Sequence, residues 1–185
     1  MTSNQPAEPP TAMRTLERLS EISDGRVTAT SPDGRAKVTL QAGKYSVELR
    51  ADGFQDLDPR DLAEEVTHAV YGTSRGRRQA ERTVLDAYRA HRPKRPPRPE
   101  SERARIRNAQ ESVSVTAISA SRMVRGSWGV TGGLRLKIAA VNAAHRERLA
   151  TEISTVLNQL SEGFRAELKR ATGEAKRRLR ADGLP

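Results

Sequence analysis

Hydrophobic and polar residues alternate along the chain with two different periods, which predicts short strands and helices in a regular order. Near the N-terminus, Met13, Leu16 and Leu19 have helical spacing, and Thr11 is placed to cap the helix. Two β-rich segments follow on either side of a Pro-Asp-Gly turn, and a third segment, 45–50, alternates with period two. The pattern therefore predicts a short helix followed by three antiparallel strands.

A long helix is predicted to begin after Asp58, where the period of the apolar residues becomes helical. Asp58 can cap this helix, and Pro59 suits its first position. The apolar stripe of the helix consists of Leu62, Val66, Val70, Ala80, Val84 and Tyr88. The proline- and arginine-rich segment 92–100 ends the helix and favours an extended spacer, because proline cannot donate the helical hydrogen bond.

The second half of the chain repeats this order of elements. The pattern predicts a short helix at 101–110, strands at 112–119, 122–130 and 134–141, and a long helix at 146–180. The apolar stripe of the last helix consists of Leu149, Ile153, Leu157, Leu160, Phe164, Leu168, Ala175 and Leu179. The predicted class is therefore α+β, with two helix-βββ-helix units that each combine a small antiparallel sheet with a long helix.

A nearly constant offset between the two halves indicates that one unit is written twice. The segment VTATS at 27–31 returns 88 residues later as VTAIS at 115–119, and 62–70 matches 149–157 at an offset of 87. The segment VELR at 47–50 also matches LRLK at 134–137 at an offset of 87. Chance similarity of short segments is the alternative, but three separate elements agree on this period. The chain is thus divided into a disordered N-terminus (1–10), a first unit (11–91), a linker (92–100) and a second, divergent unit with a basic C-terminal helix (101–185). The two units form either an intrachain pseudo-dimer or part of a homo-oligomer.

Positive charge is concentrated in two blocks of the sequence. The 185 residues carry a net charge of +10, yet residues 1–74 hold 8 Lys/Arg against 12 Asp/Glu. Residues 75–107 hold 12 Lys/Arg against 4 Asp/Glu, and residues 165–180 hold 7 against 2. This clustering favours a polyanionic partner over an evenly solvated surface.

The cations predicted to neutralise DNA phosphates belong to the first long helix, the linker and the last helix. Arg75, Arg78 and Arg82 lie three and four positions apart, so they project from one helical face. The full set is Arg75, Arg77, Arg78, Arg82, Arg89, Arg92, Lys94, Arg95, Arg98, Arg165, Lys169, Arg170, Lys176, Arg177 and Arg178. A merely solvated helix face is the alternative interpretation. Aromatic residues make up 3% of the chain, which favours binding to the duplex backbone over base stacking on single strands.

The order of elements in the first unit carries a resemblance to a known family. A strand, an Asp-Gly turn and two further strands precede a helix that opens with Asp61, Leu62, Val66 and Ala69. In this order, about residues 15–90 resemble the YbaB/EbfC nucleoid-associated family. The resemblance implies a small α/β dimer that binds DNA with little sequence preference and helps to organise the nucleoid. The chain departs from the family pattern in its shorter leading helix, its lack of a Met/Gln-rich start and its second half, which could supply the other protomer.

No motif for catalysis or metal binding emerges from the sequence. His68, His91 and His145 are scattered, the chain has no cysteine, and no serine stands in a motif with a base and an orienting acid. We therefore predict no enzymatic activity, no metal site and no cofactor. Trp128, the one tryptophan, is expected to pack at a sheet edge or an interface.

Two functional hypotheses follow from these patterns. The first is a sequence-tolerant architectural protein that binds duplex DNA in the cytoplasm, at the nucleoid, with its arginines on the phosphates and an acidic sheet surface facing away. The second is a non-enzymatic interaction module whose apolar helix stripes bind a partner or adaptor protein, while the basic blocks only solubilise it. No membrane partner is expected, because the sequence contains no apolar run of about 18 residues.

Overall fold

Two three-stranded antiparallel sheets and four α-helices form the described part of the computed structural model, which covers residues 11–52, 54, 56–91 and 99–182. The first half contains α1 (Ala12–Asp24), β1 (Val27–Thr30), β2 (Ala36–Gln41), β3 (Lys44–Leu49) and α2 (Pro59–Ala90). The second half contains α3 (Glu100–Glu111), β4 (Ser114–Ile118), β5 (Val124–Gly129), β6 (Gly133–Ile138) and α4 (Arg146–Ala181). The predicted α+β class is confirmed. The predicted disordered segment 1–10 and residues 92–98 of the predicted linker lie outside the described residues.

The helices of the first half begin at the capping residues that the sequence predicts. The Thr11 side chain accepts a hydrogen bond from the Arg14 amide at 3.3 Å, and Asp58 accepts one from the Arg60 amide at 2.7 Å. Pro59 occupies the first turn of α2, where a missing N–H costs nothing. These caps satisfy amides that have no partner within the helix, so both starting points follow from local chemistry.

The turn between β2 and β3 requires positive φ at both of its residues. Ala42 has φ 46° and Gly43 has φ 76°, which matches the two-residue hairpin turn whose twist suits antiparallel strands. Glycine adopts this conformation freely, whereas alanine is strained by its Cβ. Ala42 is therefore a locally unfavourable residue in a turn that the register of β2 and β3 imposes.

Replacing Ala42 with asparagine is expected to stabilise the protein by about 0.5–1 kcal/mol, because asparagine tolerates positive φ better than alanine. Urea denaturation followed by far-UV circular dichroism measures this change. Gly43→Ala is the matched control and should destabilise, since its Cβ would lie 2.9 Å from the Arg165 guanidinium at a positive φ. An Ala42→Asn variant less stable than the parent would contradict this account of the turn.

Each long helix packs against strands of both sheets. The α2 helix contacts β1 and β2 of its own half and β6 of the other, while α4 contacts β4 and β5 of its own half and β3 of the other. Residues with no solvent exposure lie along both helices: Leu62, Val66, Val70, Ile153, Val156, Leu157 and Leu160. Together with the inner faces of both sheets they form one hydrophobic cluster. The two halves therefore share a core.

Side chains from the long helices hydrogen-bond the backbone of the third strands. Tyr45 donates its amide to Asn158 Oδ1 at 2.7 Å and accepts from Asn158 Nδ2 at 2.9 Å. The Leu134 amide donates to the Tyr71 hydroxyl at 2.8 Å. These bonds satisfy backbone groups at the start of each third strand, on an edge where unpaired groups would be a template for pairing with another chain.

Gly72 allows α2 to lie close to β1. A Cβ on Gly72 would lie 2.7 Å from the Cβ of Ala29. The Ala29 Cβ is bonded directly to the backbone, so it cannot rotate away. Any larger residue at position 72 would push the helix away from the strand. This role of glycine is not visible in the sequence, because helical periodicity does not indicate how closely a helix approaches a sheet.

Most buried residues of the predicted apolar stripes lie where a sheet is beneath the helix, but Leu179 is also buried, in the part of α4 that packs against α3. In α2 the buried residues end at Thr73, and Ala80 of the predicted apolar stripe is exposed, so the stripe is not buried along its whole length. Beyond Thr73 the helix packs against α1, and Val84 is only half-buried. In α1, Met13 is 70% exposed and Leu16 is 64% exposed, so their helical spacing does not reflect burial.

Candidate nucleic-acid interface

An open groove of about 940 Å³ runs beside α2, and four of the predicted phosphate ligands line it. They are Arg75, Arg78, Arg82 and Arg89. One side of the groove is the exposed surface of α2 from His68 onwards, and the other includes Thr30 and Pro32 at the end of β1. We call this surface the α2 groove.

The spacing of the four arginines places them on one face of α2. Successive members are three, four and seven residues apart, which keeps their side chains within a narrow arc of the helix surface. At 1.5 Å per residue, Arg75 and Arg89 are separated by about 21 Å along the helix axis. Phosphates follow one another at about 3.4 Å along the axis of each DNA strand, so the α2 groove has the length of about six base pairs.

The arginines of the α2 groove are accessible to an anion in solution. All four are exposed, and Arg75 and Arg82 form no ion pair with another described residue. The Arg78 Nε donates to the Ser74 carbonyl at 3.3 Å, and the Arg89 Nη1 lies 3.5 Å from Asp86 Oδ1. These contacts are local to the helix and do not neutralise the groove.

Arg77 lies on the other side of α2 and has a structural role. Its Nε donates to Glu81 Oε1 at 2.8 Å, and its Nη2 donates to the Ser23 hydroxyl at 2.9 Å. The Arg77 side chain is 19% exposed, and the contact to Ser23 fastens α1 to α2. Glu81 is also the one carboxylate that lines the α2 groove among the described residues, and its charge is balanced by Arg77. Arg77 is therefore not oriented towards a ligand in the groove.

The basic block of α4 is separate from the α2 groove. None of its described cations lines that groove, although Arg165 matches Arg78 at the offset of 87. The guanidinium of Arg165 lies over the turn at Gly43. Lys169, Lys176, Arg177 and Arg178 are exposed.

Arg170 and Arg178 lie beside acidic residues between α3 and α4. Arg170 forms ion pairs with Glu167 at 2.6 Å and Glu174 at 3.1 Å. The hydrogen bond to Glu167, together with its charge, raises the pKa of Arg170 above its usual range. A depression that includes Arg170 and Arg178 is also lined by Glu167, Glu174 and Asp182. This part of the predicted site is therefore of mixed charge and less suited to a polyanion than the α2 groove.

Four predicted ligands of the linker lie outside the described residues. They are Arg92, Lys94, Arg95 and Arg98. They remain predictions from the sequence.

The exposed faces of the two sheets are not acidic, so the expectation of an acidic sheet surface is wrong. Among the described strands, Glu48 of β3 is the one carboxylate, and it pairs with Lys37 at 2.9 Å. The second sheet instead presents the cations Arg125, Arg135 and Lys137, which are not among the predicted phosphate ligands. The alternation of apolar and charged residues in LRLKI (134–138) indicates the exposure of Arg135 and Lys137. Counting charge in blocks does not find these cations, because they are interspersed with buried residues.

Trp128 packs at the junction of the two halves, in agreement with its expected packing role. Its ring stacks on Phe164 of α4 at 5.8 Å with an interplanar angle of 12°. It also contacts Tyr45 of β3, with a centroid distance of 6.2 Å. The half-buried indole is therefore held by aromatic neighbours from both halves, in the arrangement that aromatic pairs favour.

The carboxylate of Glu152 is held by hydroxyl groups at the end of the second sheet. Ser121 and Ser119 both donate hydrogen bonds to Glu152 Oε2, the latter at 2.9 Å, and Arg148 donates to Oε1 at 3.2 Å. The hydrogen bond from Ser121 is the largest cause of a pKa of Glu152 below its usual range, although burial opposes it. A carboxylate with a lowered pKa stabilises the fold at neutral pH, and this stabilisation is lost as the pH falls through that lowered value. The arrangement fastens the β4–β5 turn to α4.

Neither a metal site nor a membrane-spanning helix was found among the described residues, nor was a similar known protein found. No group of His, Asp or Glu side chains that could hold a metal ion occurs in the described part of the chain. Within the same residues, every helix is too short or too polar to cross a bilayer. No family model matches the sequence, and neither a curated protein nor a solved structure is significantly similar to it.

Proposed function

We propose that this protein binds duplex DNA through its phosphate backbone, with little sequence preference, and acts as an architectural protein of the nucleoid. The α2 groove carries the proposal, because four exposed arginines on one helical face line it with a single carboxylate that is already paired. Guanidinium groups bind phosphate strongly and in bidentate geometry, which provides affinity without reading base identity. The proposal requires no cofactor and no catalytic step.

The relation to the YbaB/EbfC family and the pseudo-dimer are part of the same proposal. Residues 45 and 134 are equivalent in the third strands, as are 71 and 158 in the long helices, and each helix residue bonds the equivalent strand amide of the other half. The buried hydroxyl groups of Ser31 and Ser119 likewise accept from the equivalent amides of Ala36 and Val124. The serine contacts lie within each half and support a common fold, while the reciprocal contacts of Asn158 and Tyr71 support an intrachain pseudo-dimer, in which one chain takes the place of two protomers.

The interaction-module hypothesis is favoured by one observation. Met13 and Leu16 of α1 are exposed apolar side chains on the outside of the α1–α2 pair. Two such residues form a smaller surface than stable protein interfaces use, so this hypothesis is second to DNA binding.

A salt titration of duplex binding tests the proposed function. With three to four arginines of the α2 groove on phosphates, the slope of log affinity against log salt should be about −2.7 to −3.6. Affinity should then fall about 40- to 150-fold between about 50 and 200 mM salt, almost equally for duplexes of unrelated sequence. Fluorescence anisotropy with two labelled duplexes measures both quantities. Absence of binding at about 50 mM salt would reject DNA binding and favour the interaction module.

A further inference from the structure

The exposed face of the second sheet carries three cations and no carboxylate. Arg125 lies on β5, and Arg135 and Lys137 lie on β6, all of them exposed. The opposite face of this sheet is buried by α2 and α4 through residues such as Leu134 and Leu136, so no described helix covers the cations. We call the exposed side the β5–β6 face.

The register of the strands brings the three charges together. Arg125 is the direct cross-strand partner of Lys137, and such partners have Cβ atoms about 5 Å apart. Arg135 and Lys137 are two positions apart on β6, which places them about 7 Å from one another along the strand. Directly opposed like charges destabilise a sheet. A bound anion would remove this repulsion.

In the first sheet, the equivalent positions hold one cation and one carboxylate. By strand register, the residues equivalent to Arg125 and Lys137 are Lys37 and Glu48, at offsets of 88 and 89. The sequence match of the third strands at an offset of 87 is therefore wrong by two residues. The offset rises from 88 to 89 between the second and third strands because the β5–β6 turn is longer than the β2–β3 turn. Lys37 and Glu48 form a cross-strand ion pair of 2.9 Å. The second half therefore has a cation where the first half has the neutralising carboxylate. This substitution converts a self-compensating pair into an anion-attracting one.

Hydroxyl groups on the β5–β6 face and on β4 beside it favour phosphate as the anion. Thr116 and Ser127 are cross-strand partners between β4 and β5 and point to the same side of the sheet as the three cations. Serine and threonine hydroxyls and arginine are the usual donors to phosphate oxygens in DNA complexes. The described residues of this face include no aromatic ring that would stack on a base, which favours a duplex backbone over a single strand.

We propose that the β5–β6 face is a second, independent phosphate-binding surface that allows one chain to bridge two DNA duplexes. The face shares no residue with the α2 groove, since the groove is formed by α2 and the end of β1. This inference rests on the proposed binding of a first duplex in the α2 groove. Two separate cationic surfaces on one folded unit give bridging, whereas a single surface gives only coating of one duplex.

A two-duplex capture experiment tests the bridge. A biotinylated duplex on beads is saturated with protein, and retention of a second, fluorescent duplex is measured at about 50 mM salt. The triple variant Arg125→Gln, Arg135→Gln, Lys137→Gln should bind the first duplex within about threefold of the parent but retain roughly tenfold less of the second. The control Lys37→Gln, Lys44→Gln, Arg60→Gln removes the same charge, mostly from ion pairs with Glu48 and Glu64, and should capture like the parent.

A single substitution provides a second variant that should fold at least as well as the parent. Lys137→Glu restores the cross-strand ion pair of Lys37 and Glu48 at the equivalent positions. We expect the Lys137→Glu variant to have a higher melting temperature than the parent and to capture no second duplex. This combination separates loss of binding from loss of folding.

Four outcomes would overturn the inference, and they are distinguishable. Unchanged capture by the triple variant would mean that two α2 grooves of an oligomer make the bridge. Equal loss of first-duplex binding would mean that one duplex covers both surfaces. Binding of poly-L-glutamate at the β5–β6 face without duplex capture would identify an acidic protein as its partner. If the parent fails to bind even the first duplex, the proposed function itself fails, and the bridge fails with it.

Discussion

Replacing Arg75, Arg78 and Arg82 with alanine is expected to flatten the salt dependence of duplex binding by about 2.7 units of slope, because three phosphate contacts are lost. The affinity lost by the variant should consequently be about 40-fold larger at 50 mM than at 200 mM salt. These side chains are exposed and form no ion pair with another described residue, so the free energy of unfolding should change by less than about 1 kcal/mol. Fluorescence anisotropy across a salt series, together with thermal denaturation, measures both quantities.

Charge-matched and acidic variants control for non-specific effects of net charge. Lys37→Ala, Lys44→Ala and Arg60→Ala remove three positive charges outside the α2 groove and should change the slope by less than one contact. Glu64→Ala should not weaken binding, since Glu64 is exposed on another part of α2. Glu65 is unsuitable as a control because it is buried, with one carboxylate oxygen that has no hydrogen-bond partner. If the groove variant bound with the parent's affinity and slope, the α2 groove would not be the DNA site.

Leu157→Ala is expected to lower the free energy of unfolding by about 2–5 kcal/mol, the largest stability effect proposed for this chain. Leu157 has no solvent exposure, and the helix that carries it packs against β3, β4 and β5. The cost includes both lost burial and the cavity that remains, because α4 is fixed between two sheets and cannot collapse onto it. Since domains have only about 5–15 kcal/mol of stability, the variant should unfold at a clearly lower urea concentration.

The same variant tests whether the two halves unfold together. Trp128 contacts both Tyr45 and Phe164, so its fluorescence reports on the junction, while far-UV circular dichroism reports on all helices. We expect the two signals to change at one denaturant concentration in both parent and variant, because the halves share a core. Leu168→Ala, on the same helix but half-buried, is the matched control and should cost less. Separate transitions, with only the Trp128 signal shifted, would show that the halves are independent units.

Local rules of sequence predicted the elements of this protein well, since those rules depend on near neighbours. Thr11 and Asp58 supply capping oxygens, and the alternation at 45–50 corresponds to β3. The two basic blocks were also visible, because charge is a property of composition. What the local pattern could not indicate was where each helix leaves its sheet, so the stripe of α2 was extended through Ala80, which is exposed.

The candidate site shows the same division between local and tertiary information. Helical spacing correctly placed Arg75, Arg78 and Arg82 on one face, but it could not separate them from Arg77, whose partner Ser23 is 54 positions away in the sequence. Likewise, interspersed cations such as Arg125 and Lys137 become neighbours only through the register of β5 and β6. Counting charge along the chain therefore finds a block on a helix and misses a patch on a sheet.

By itself, the sequence determined the α+β class, the helices and strands, the similarity of residues 27–31 to 115–119 and the amount of positive charge. Only the tertiary structure decided that α2 reaches β6 while α4 reaches β3, which gives the two halves one shared core. It also decided which arginines line the α2 groove and which fasten helices together. The physical reason is range: caps, turns and periodicity act within a few residues, whereas burial and charge pairing depend on groups that meet only after the chain has packed.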